Sequence, residues 1–289
     1  MLHFTHGGGF HGGALGFELV FRAAGFQTTW LFDNNPHAQA AARRHFPHAI
    51  QMGDVTTIHH PPHVDVFTAG FPCQPFSQAG TMRGADDPRY LLPHVIRIIE
   101  EVAPYVVLLE NVPHFRTLDD GVHFRYLLRS LADLGYDAEW GCVRAAHVGA
   151  PHLRKRWVLV GYTQSTGLAQ WRNRQVENRN AIRQTPPNQA VLRFNRSSKL
   201  IRRCEDRLVK SNMGRDAHGL SRQLDLHRWP AGQGAEQYDY EPPRQIGYSP
   251  ERQERIEALG NAIVPQCFIP IAQNIKRWLE TAHLDNRKE

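Results

Sequence analysis

What the chain has little of narrows its class first. It holds four cysteines in 289 residues, Cys73, Cys142, Cys204 and Cys267, and no two of them form a C-x-x-C pair. That spacing argues against a disulfide framework and a structural zinc site, and it fits a reducing, cytoplasmic setting. No run of about 20 apolar residues occurs, so no membrane span is expected. A basic segment followed by an apolar core is also missing near the start, so no secretion signal is expected. Acidic residues are scarce in one stretch: between Gln164 and Arg215, twelve Lys or Arg stand against three Asp or Glu. The whole chain carries a net charge of +6, so this stretch holds more than the total and the remainder is slightly acidic. Positive charge without carboxylates to pair it favours phosphate contacts over a merely solvated face. A hydrophobic content of 41% is enough for a packed core, in one large domain or in a large and a small one.

The chain is organised around residues 69–80, Ala-Gly-Phe-Pro-Cys-Gln-Pro-Phe-Ser-Gln-Ala-Gly. The β-branched run Val64 to Ala69 reads as a strand that Gly70 and Pro72 end. Cys73 is therefore expected in a turn past a strand's carboxyl end, where ligands bind in open α/β sheets. Prolines on both sides of the Cys73-Gln74 pair hold the backbone extended. The segment can display a nucleophilic thiol or bury an inert one. Residues 76–89 are polar, carry Gly80 and Gly84, and have the composition of a lid.

Upstream, a short strand is expected over residues 2–5, followed by a glycine cluster from Gly7 to Gly16. A helix is expected from Ala14 to Ala24, with Leu15, Leu19 and Ala23 on its apolar stripe and Gly25 as its stop. A second strand, Gln27 to Phe32, ends at Asp33. Strand, glycine loop, helix, strand and acid is the layout of a nucleoside-cofactor half-domain. The glycines admit the ligand to the backbone, and the acid can accept both ribose hydroxyls. A helix at Ala38 to His45 and a third strand ending at Gly53-Asp54-Val55 follow, placing a second carboxylate at the same edge or in a turn cap. His59, His60 and His63 lack a converging fourth ligand, so they read as loop histidines and no metal is expected. Tyr105 to Leu109 reads as a buried parallel strand ending in Glu110-Asn111-Val112-Pro113, between helices at Leu91 to Val102 and Leu127 to Leu134. A carboxyl in that place is costly unless paired or protonated, which suits either a capped structural acid or a proton donor. Strands at Tyr136 to Val143 and Trp157 to Gly161 flank Arg154 and Arg156, whose alternation lets both face one side. Periodicity then fails until a helical stretch at Glu254 to Leu259 and a closing amphipathic helix, Gln266 to His283.

Four motifs together resemble the cytosine-C5 DNA methyltransferase family of bacterial and phage type. They are Phe-Pro-Cys-Gln-Pro-Phe-Ser (71–77), Glu-Asn-Val (110–112), Arg-x-Arg (154–156) and Gly-Asn-Ala-Ile-Val-Pro (260–265), in the family's order and with its long variable gap before the last. The resemblance implies an α/β, Rossmann-like S-adenosylmethionine-dependent methyltransferase fold. The catalytic domain would comprise residues 1–162 and 248–289, with a target-recognition region at 163–247 and DNA in the cleft between. It implies Cys73 as the nucleophile at C6 of a flipped-out cytosine, Glu110 as the group protonating N3, and Arg154 and Arg156 on the base carbonyl and a phosphate. Gln74, Ser77, Asn111 and Val112 would meet the substrate. Asp33 would hold the ribose and Asp54 the adenine. Phe4, Gly8 and Gly9 would form the first cofactor loop, with Asn34, Val55, Leu91 and Asn261 completing the S-adenosylmethionine site.

Three departures stand out. His6 occupies the place of the first glycine in Phe4-Thr-His6-Gly7-Gly8-Gly9, and the stretch to Gly25 is long, so Gly12 and Gly13 are alternative contacts. The Arg pair is preceded by Pro151-His152 where the family has Pro-Gln. The recognition region is short, in keeping with a short DNA site. Alternatives are the family's tRNA-directed branch and a catalytically decayed DNA-binding relative; an amino-group methyltransferase lacks its Asp/Asn-Pro-Pro-Tyr motif here. Double-stranded DNA is the expected partner, with a companion restriction endonuclease a candidate, a monomeric state, and a cytoplasmic, nucleoid-associated location. If the stretch from Gln164 to Arg215 is the DNA surface, duplex affinity falls steeply with salt, about tenfold or more between 50 and 200 mM. A filter-binding titration at both concentrations measures it, and a flat response would remove that stretch from the interface.

Overall fold

The computed structural model describes residues 3–9, 15–72, 90–150, 152–163, 236 and 261–285. Among these residues the strands are β1 (Thr5–Gly9), β2 (Gln27–Phe32), β3 (Ile50–Gln51), β4 (Val66–Ala69), β5 (Val106–Asn111), β6 (Tyr136–Arg144) and β7 (Lys155–Thr163). They form one sheet in the order β3-β2-β1-β4-β5-β7-β6. Strands β3 to β5 of that order pair in parallel, whereas β7 runs antiparallel to both β5 and β6. Five α-helices flank the sheet among the described residues: α1 (Gly16–Ala23), α2 (Pro36–His45), α3 (Leu92–Val102), α4 (Val122–Asp133) and α5 (Pro265–Asp285).

Side-chain alternation along the strands sorts the helices into two layers. Phe67, Ala69, Val107 and Leu109 turn toward α3 and α4, where Val95, Ile99, Leu127 and Leu131 meet them in one core. Val66, Val106 and Leu108 turn the other way, onto Phe17, Val20 and Phe21 of α1 and Phe268, Ile271 and Trp278 of α5. β5 is buried along its whole length, as a central strand covered on both faces must be. Helix α2 begins as its sequence dictates: Asn35 Oδ1 accepts from the amides of His37 at 2.8 Å and Ala38 at 3.3 Å, and Pro36 opens the first turn. Gly25, at φ +83°, ends the first turn after α1 in the left-handed region that favours glycine.

The structure corrects four expectations. β1 covers residues 5–9, not 2–5, so the first glycines lie inside a strand and the loop follows them. The stripe of α1 is Phe17, Val20, Phe21 and Ala24, while Leu19 is 37% exposed; one residue of helical phase separates the two readings. β5 continues to Asn111, so Glu110 lies inside the strand. β3 is confined to Ile50–Gln51, and Asp54 follows in a turn. The expected helix over residues 254–259, the lid at 76–89 and the region 163–247, apart from Thr163 and Glu236, lie outside the described residues. No described helix is long and apolar enough to cross a membrane.

The closing helix is part of the core that covers one face of the sheet. Phe268 is 1% exposed and meets Phe17 edge-on at 5.1 Å. Phe268→Ala is expected to cost about 3–5 kcal/mol, the usual range for a buried aromatic truncated to a methyl group, read as a lower urea midpoint.

Candidate active site

Strand register assembles the site. Phe32, Gly9, Ala69 and Leu109 lie side by side across β2, β1, β4 and β5. The next residue of three of these strands, Asp33, Gly70 and Glu110, therefore stands at the sheet's carboxyl edge. β7 starts at this edge because it runs backwards, with Trp157 opposite Asn111 and Val158 opposite Glu110. One reversed strand thus delivers the Arg154–Arg156 segment to the place where the parallel strands end.

Glu110 is 5% exposed. Its Oε1 lies 2.8 Å from Nε of Arg156, a charge contact whose N–H is not aimed squarely at the oxygen. This pairing, rather than protonation alone, offsets the desolvation of the carboxylate. Arg154 does something different: its guanidinium donates to the carbonyl of Ala262, tying the Arg segment to the returning end of the chain. Burial first, and then the charge of Arg156, lower the Arg154 pKa from its usual value, with Glu110 opposing. Asn111 is buried; its Nδ2 donates to the Phe71 carbonyl at 3.0 Å and its Oδ1 accepts from the Val112 amide at 2.8 Å. The Glu-Asn-Val strand end therefore holds the residue two before Cys73. Cys73, Gln74 and Ser77 themselves lie outside the described residues.

A small cleft of about 20 Å³ opens beside β1 and β2, its lining including Gly9, Leu15, Glu18, Phe32, Asp33 and Gln39. Asp33 is half-buried, with Oδ1 accepting the Asn35 amide at 2.8 Å. Gly9 is required by close approach, since a Cβ there would meet the Phe32 carbonyl oxygen at 2.0 Å. Leu15 adopts φ +50°, a strained conformation for a leucine, at the entry to α1. Glu18 is the residue that sequence reasoning missed. A charged side chain in the first turn of a helix ordinarily faces solvent, yet this one is 1% exposed.

The structure separates the remaining cofactor candidates. Phe4 precedes β1 at the amino edge, packed on Phe26 at 6.0 Å, opposite the edge where Asp33 stands; it does not fit a cofactor contact. Gly8 is buried within β1 against Thr68. His6 is buried in the same strand, stacked on Phe21 at 4.6 Å with Nε2 2.9 Å from the Thr68 hydroxyl, so it is a core residue and not part of a loop. Gly12 and Gly13, in the segment that follows β1, have the better placement in sequence for the loop. Asp54 Oδ1 accepts from the Thr56 amide and hydroxyl, each at 2.8 Å, so this carboxylate does cap a turn. Val55 is 1% exposed in the core, whereas Leu91 caps α3 and Asn34 and Asn261 are exposed; none of these lines the cleft. His152 and Arg154 line a second, open groove with Ala262, Ile263 and Val264. Burial and the neighbouring Arg154 charge lower the His152 pKa, which favours its neutral form. His59 instead joins Arg97 and Glu101, and no group of three metal-ligating side chains gathers among the described residues.

A mostly parallel sheet with one reversed strand near its end, helices on both faces and an acid closing β2 defines the Rossmann-like fold of S-adenosylmethionine-dependent methyltransferases. The model of the C-5 cytosine-specific DNA methylase family matches residues 10–219, and the chain belongs to that family. The Type II methyltransferase M.BsuFI of Bacillus subtilis is 36% identical over 166 residues, covering 55% of this chain and 39% of that protein. The Type II methyltransferase M.MthTI of Methanothermobacter thermautotrophicus is 32% identical over 196 residues, covering 65% of this chain and 59% of that protein. The chain thus spans less than two thirds of the length of these relatives. A crystal structure of a candidate DNA modification methyltransferase encoded within an E. coli prophage superposes with a TM-score of 0.49 at 26% identity, over 56% of this chain and 47% of that one.

Removing one half of the buried pair leaves the other charge stranded. Arg156→Ala is expected to lower stability by about 3–5 kcal/mol in urea titration, while the double variant Arg156→Met with Glu110→Gln recovers much of that loss. Equal losses in the two variants would mean that the pair is not coupled.

Proposed function

We propose that the protein is a DNA (cytosine-5)-methyltransferase that modifies a cytosine flipped out of a specific duplex sequence, through a covalent bond to Cys73. The observation that carries this reading is the convergence at one sheet edge of the paired Glu110 and Arg156 with Phe71, whose carbonyl is held by Asn111 just before Cys73. Membership of the cytosine methylase family and likeness to relatives named Type II methyltransferases support it. Those names also support a place in a restriction-modification system.

The chemistry follows from the residues. The Cys73 thiolate adds to C6 of the ring, and electron density moves toward N3. Glu110, in its carboxylic acid form, donates a proton to N3 and relieves that charge; the nearby Arg156 receives the carboxylate that remains. Arg154, fixed through Ala262, keeps a positive potential beside the groove and favours the thiolate. When bound, S-adenosylmethionine supplies the electrophilic methyl group that C5 takes up. A base then removes the C5 proton, the C6–S bond breaks with its electron pair returning to Cys73, and N3 gives its proton back to Glu110. The position of Asp33, half-buried after β2 and in the lining of the cleft, supports the reading that it would take the ribose hydroxyls of such a nucleoside. Asp54, Asn34, Leu91 and Asn261 are left as contacts from outside that cleft, and residues 163–247 as the part that reads DNA.

Covalent trapping tests the proposal. With S-adenosylmethionine and a pool of duplexes containing 5-fluorocytosine, elimination is blocked and the protein is expected to shift on a denaturing gel. The shift is expected to vanish in Cys73→Ala and to fall at least about 100-fold in rate in Glu110→Gln. A shift with tRNA in place of DNA would transfer the activity to RNA, and a shift that survives Cys73→Ala would overturn the assigned nucleophile.

A further inference from the structure

We infer that Arg97, on α3, is a positioning residue for the methyl donor: it holds the turn that carries Asp54 where that carboxylate can meet the adenine of the bound nucleoside. This rests on the cofactor reading proposed above. The chain leaves the cleft at Gln51, the last residue of β3, and turns through Gly53, at φ +75°, to reach Asp54. β3 pairs with β2 through two residues, and the sheet's hold on the chain ends at Met52, whose amide donates to the Leu31 carbonyl at 2.8 Å. Beyond that point Val55 and Ile58 are buried in the same core as Val95 and Ile98 of α3. Apolar burial has no direction, so it does not by itself set the angle of the turn. The hydrogen bonds of one guanidinium do. Arg97 donates through Nη2 to the Val55 carbonyl at 3.0 Å and through Nη1 to the Ile58 carbonyl at 2.5 Å. Glu101, one helical turn further on, accepts from Arg97 Nη1 at 2.8 Å and from the His60 amide at 2.7 Å. The planar fork of an arginine fixes two acceptors relative to each other, which the point charge of a lysine does not.

The turn leaves one oxygen of Asp54 over. Oδ1 accepts from both the amide and the hydroxyl of Thr56, whereas Oδ2 has no hydrogen-bond partner among the described residues. A neutral N–H donor suits it, and the exocyclic amino group of adenine is one. Val55 directly follows Asp54, so the grip of Arg97 acts on the peptide next to the carboxylate. Covalent geometry then says which kinetic quantity the grip controls. In S-adenosylmethionine adenine is joined to the ribose at C1′, whereas the sulfur that carries the methyl group is joined at C5′. A displaced Asp54 therefore weakens the hold on the nucleoside at the end remote from the reacting carbon. It costs affinity and leaves the transfer step as it was, the signature of uniform binding.

Calorimetric titration of the full chain with S-adenosylmethionine tests the inference through a double-mutant cycle. Arg97→Met and Asp54→Ala are each expected to weaken binding about tenfold. Because one acts through the other, the double variant is expected to bind within about threefold of Asp54→Ala alone. In steady-state methylation Arg97→Met is expected to raise KM for S-adenosylmethionine by a similar factor, with kcat within about twofold of the unaltered protein. Arg97→Lys, which keeps the charge and loses the fork, is expected to fall between the two and serves if the methionine variant does not fold. Additive losses of about 100-fold in the double variant, or a fall in kcat at unchanged KM, would overturn the inference and make Arg97 a structural residue. So would unchanged binding in both Arg97 variants beside a loss in Asp54→Ala. Unchanged binding in Asp54→Ala would remove Asp54 from the site and the inference with it. Failure of the unaltered protein to bind S-adenosylmethionine would overturn the cofactor reading itself.

Discussion

A carboxylate in the middle of a sheet must have a cation, and the site is arranged around that requirement. Glu110 is the last residue but one of a strand whose every residue is buried, so water cannot solvate it. The parallel strands run toward the same edge and can bring only their own ends to it. A strand that runs the other way starts there, and β7 does so, placing Arg156 against Glu110. The reversed strand is thus tied to an electrostatic need as well as to topology. Because breaking a buried pair costs more than the pair itself contributes, the two residues hold each other in place. Their mutual position is therefore fixed by the fold itself.

From this pair the rest of the edge is fixed by short connections. Asn111 reaches across to Phe71 and fixes the start of the Cys73 segment. Arg154 reaches the Ala262 carbonyl and joins the segment before β7 to the one before α5, while Gly16 lets α1 come so close to Ile263 that a Cβ would sit 2.4 Å from its Cγ1. Segments far apart in the chain therefore share one rigid frame. Loops built on such a frame can vary while the reacting groups stay within reach of each other.

The sequence was most legible where burial and punctuation agreed. β2 was readable to the residue, because the apolar run Trp30, Leu31 and Phe32 ends abruptly at Asp33-Asn34-Asn35-Pro36. The Glu110 position was readable from cost alone: a carboxylate after Val-Val-Leu-Leu must be paired or protonated. Its partner was not readable, because which arginine arrives depends on β7 inserting between β5 and β6. The glycine cluster misled, since Gly7 to Gly9 look like a loop but serve tight packing inside β1 against Trp30, Thr68 and Phe32. Glu18 was invisible for a similar reason. Nothing in a local pattern distinguishes an acid turned into a cleft between two helices from one turned to water.

The place of α5 has one more consequence. Phe4, just before β1, shares an apolar cluster with Ile275, Trp278 and Leu279 near the end of α5, and Lys276 reaches Gly25 at the same amino edge. The last helix and the first strand are neighbours, although they lie at opposite ends of the sequence. A circular permutant that opens before Asn261 and runs from α5 through a short linker into β1 would keep every contact described above.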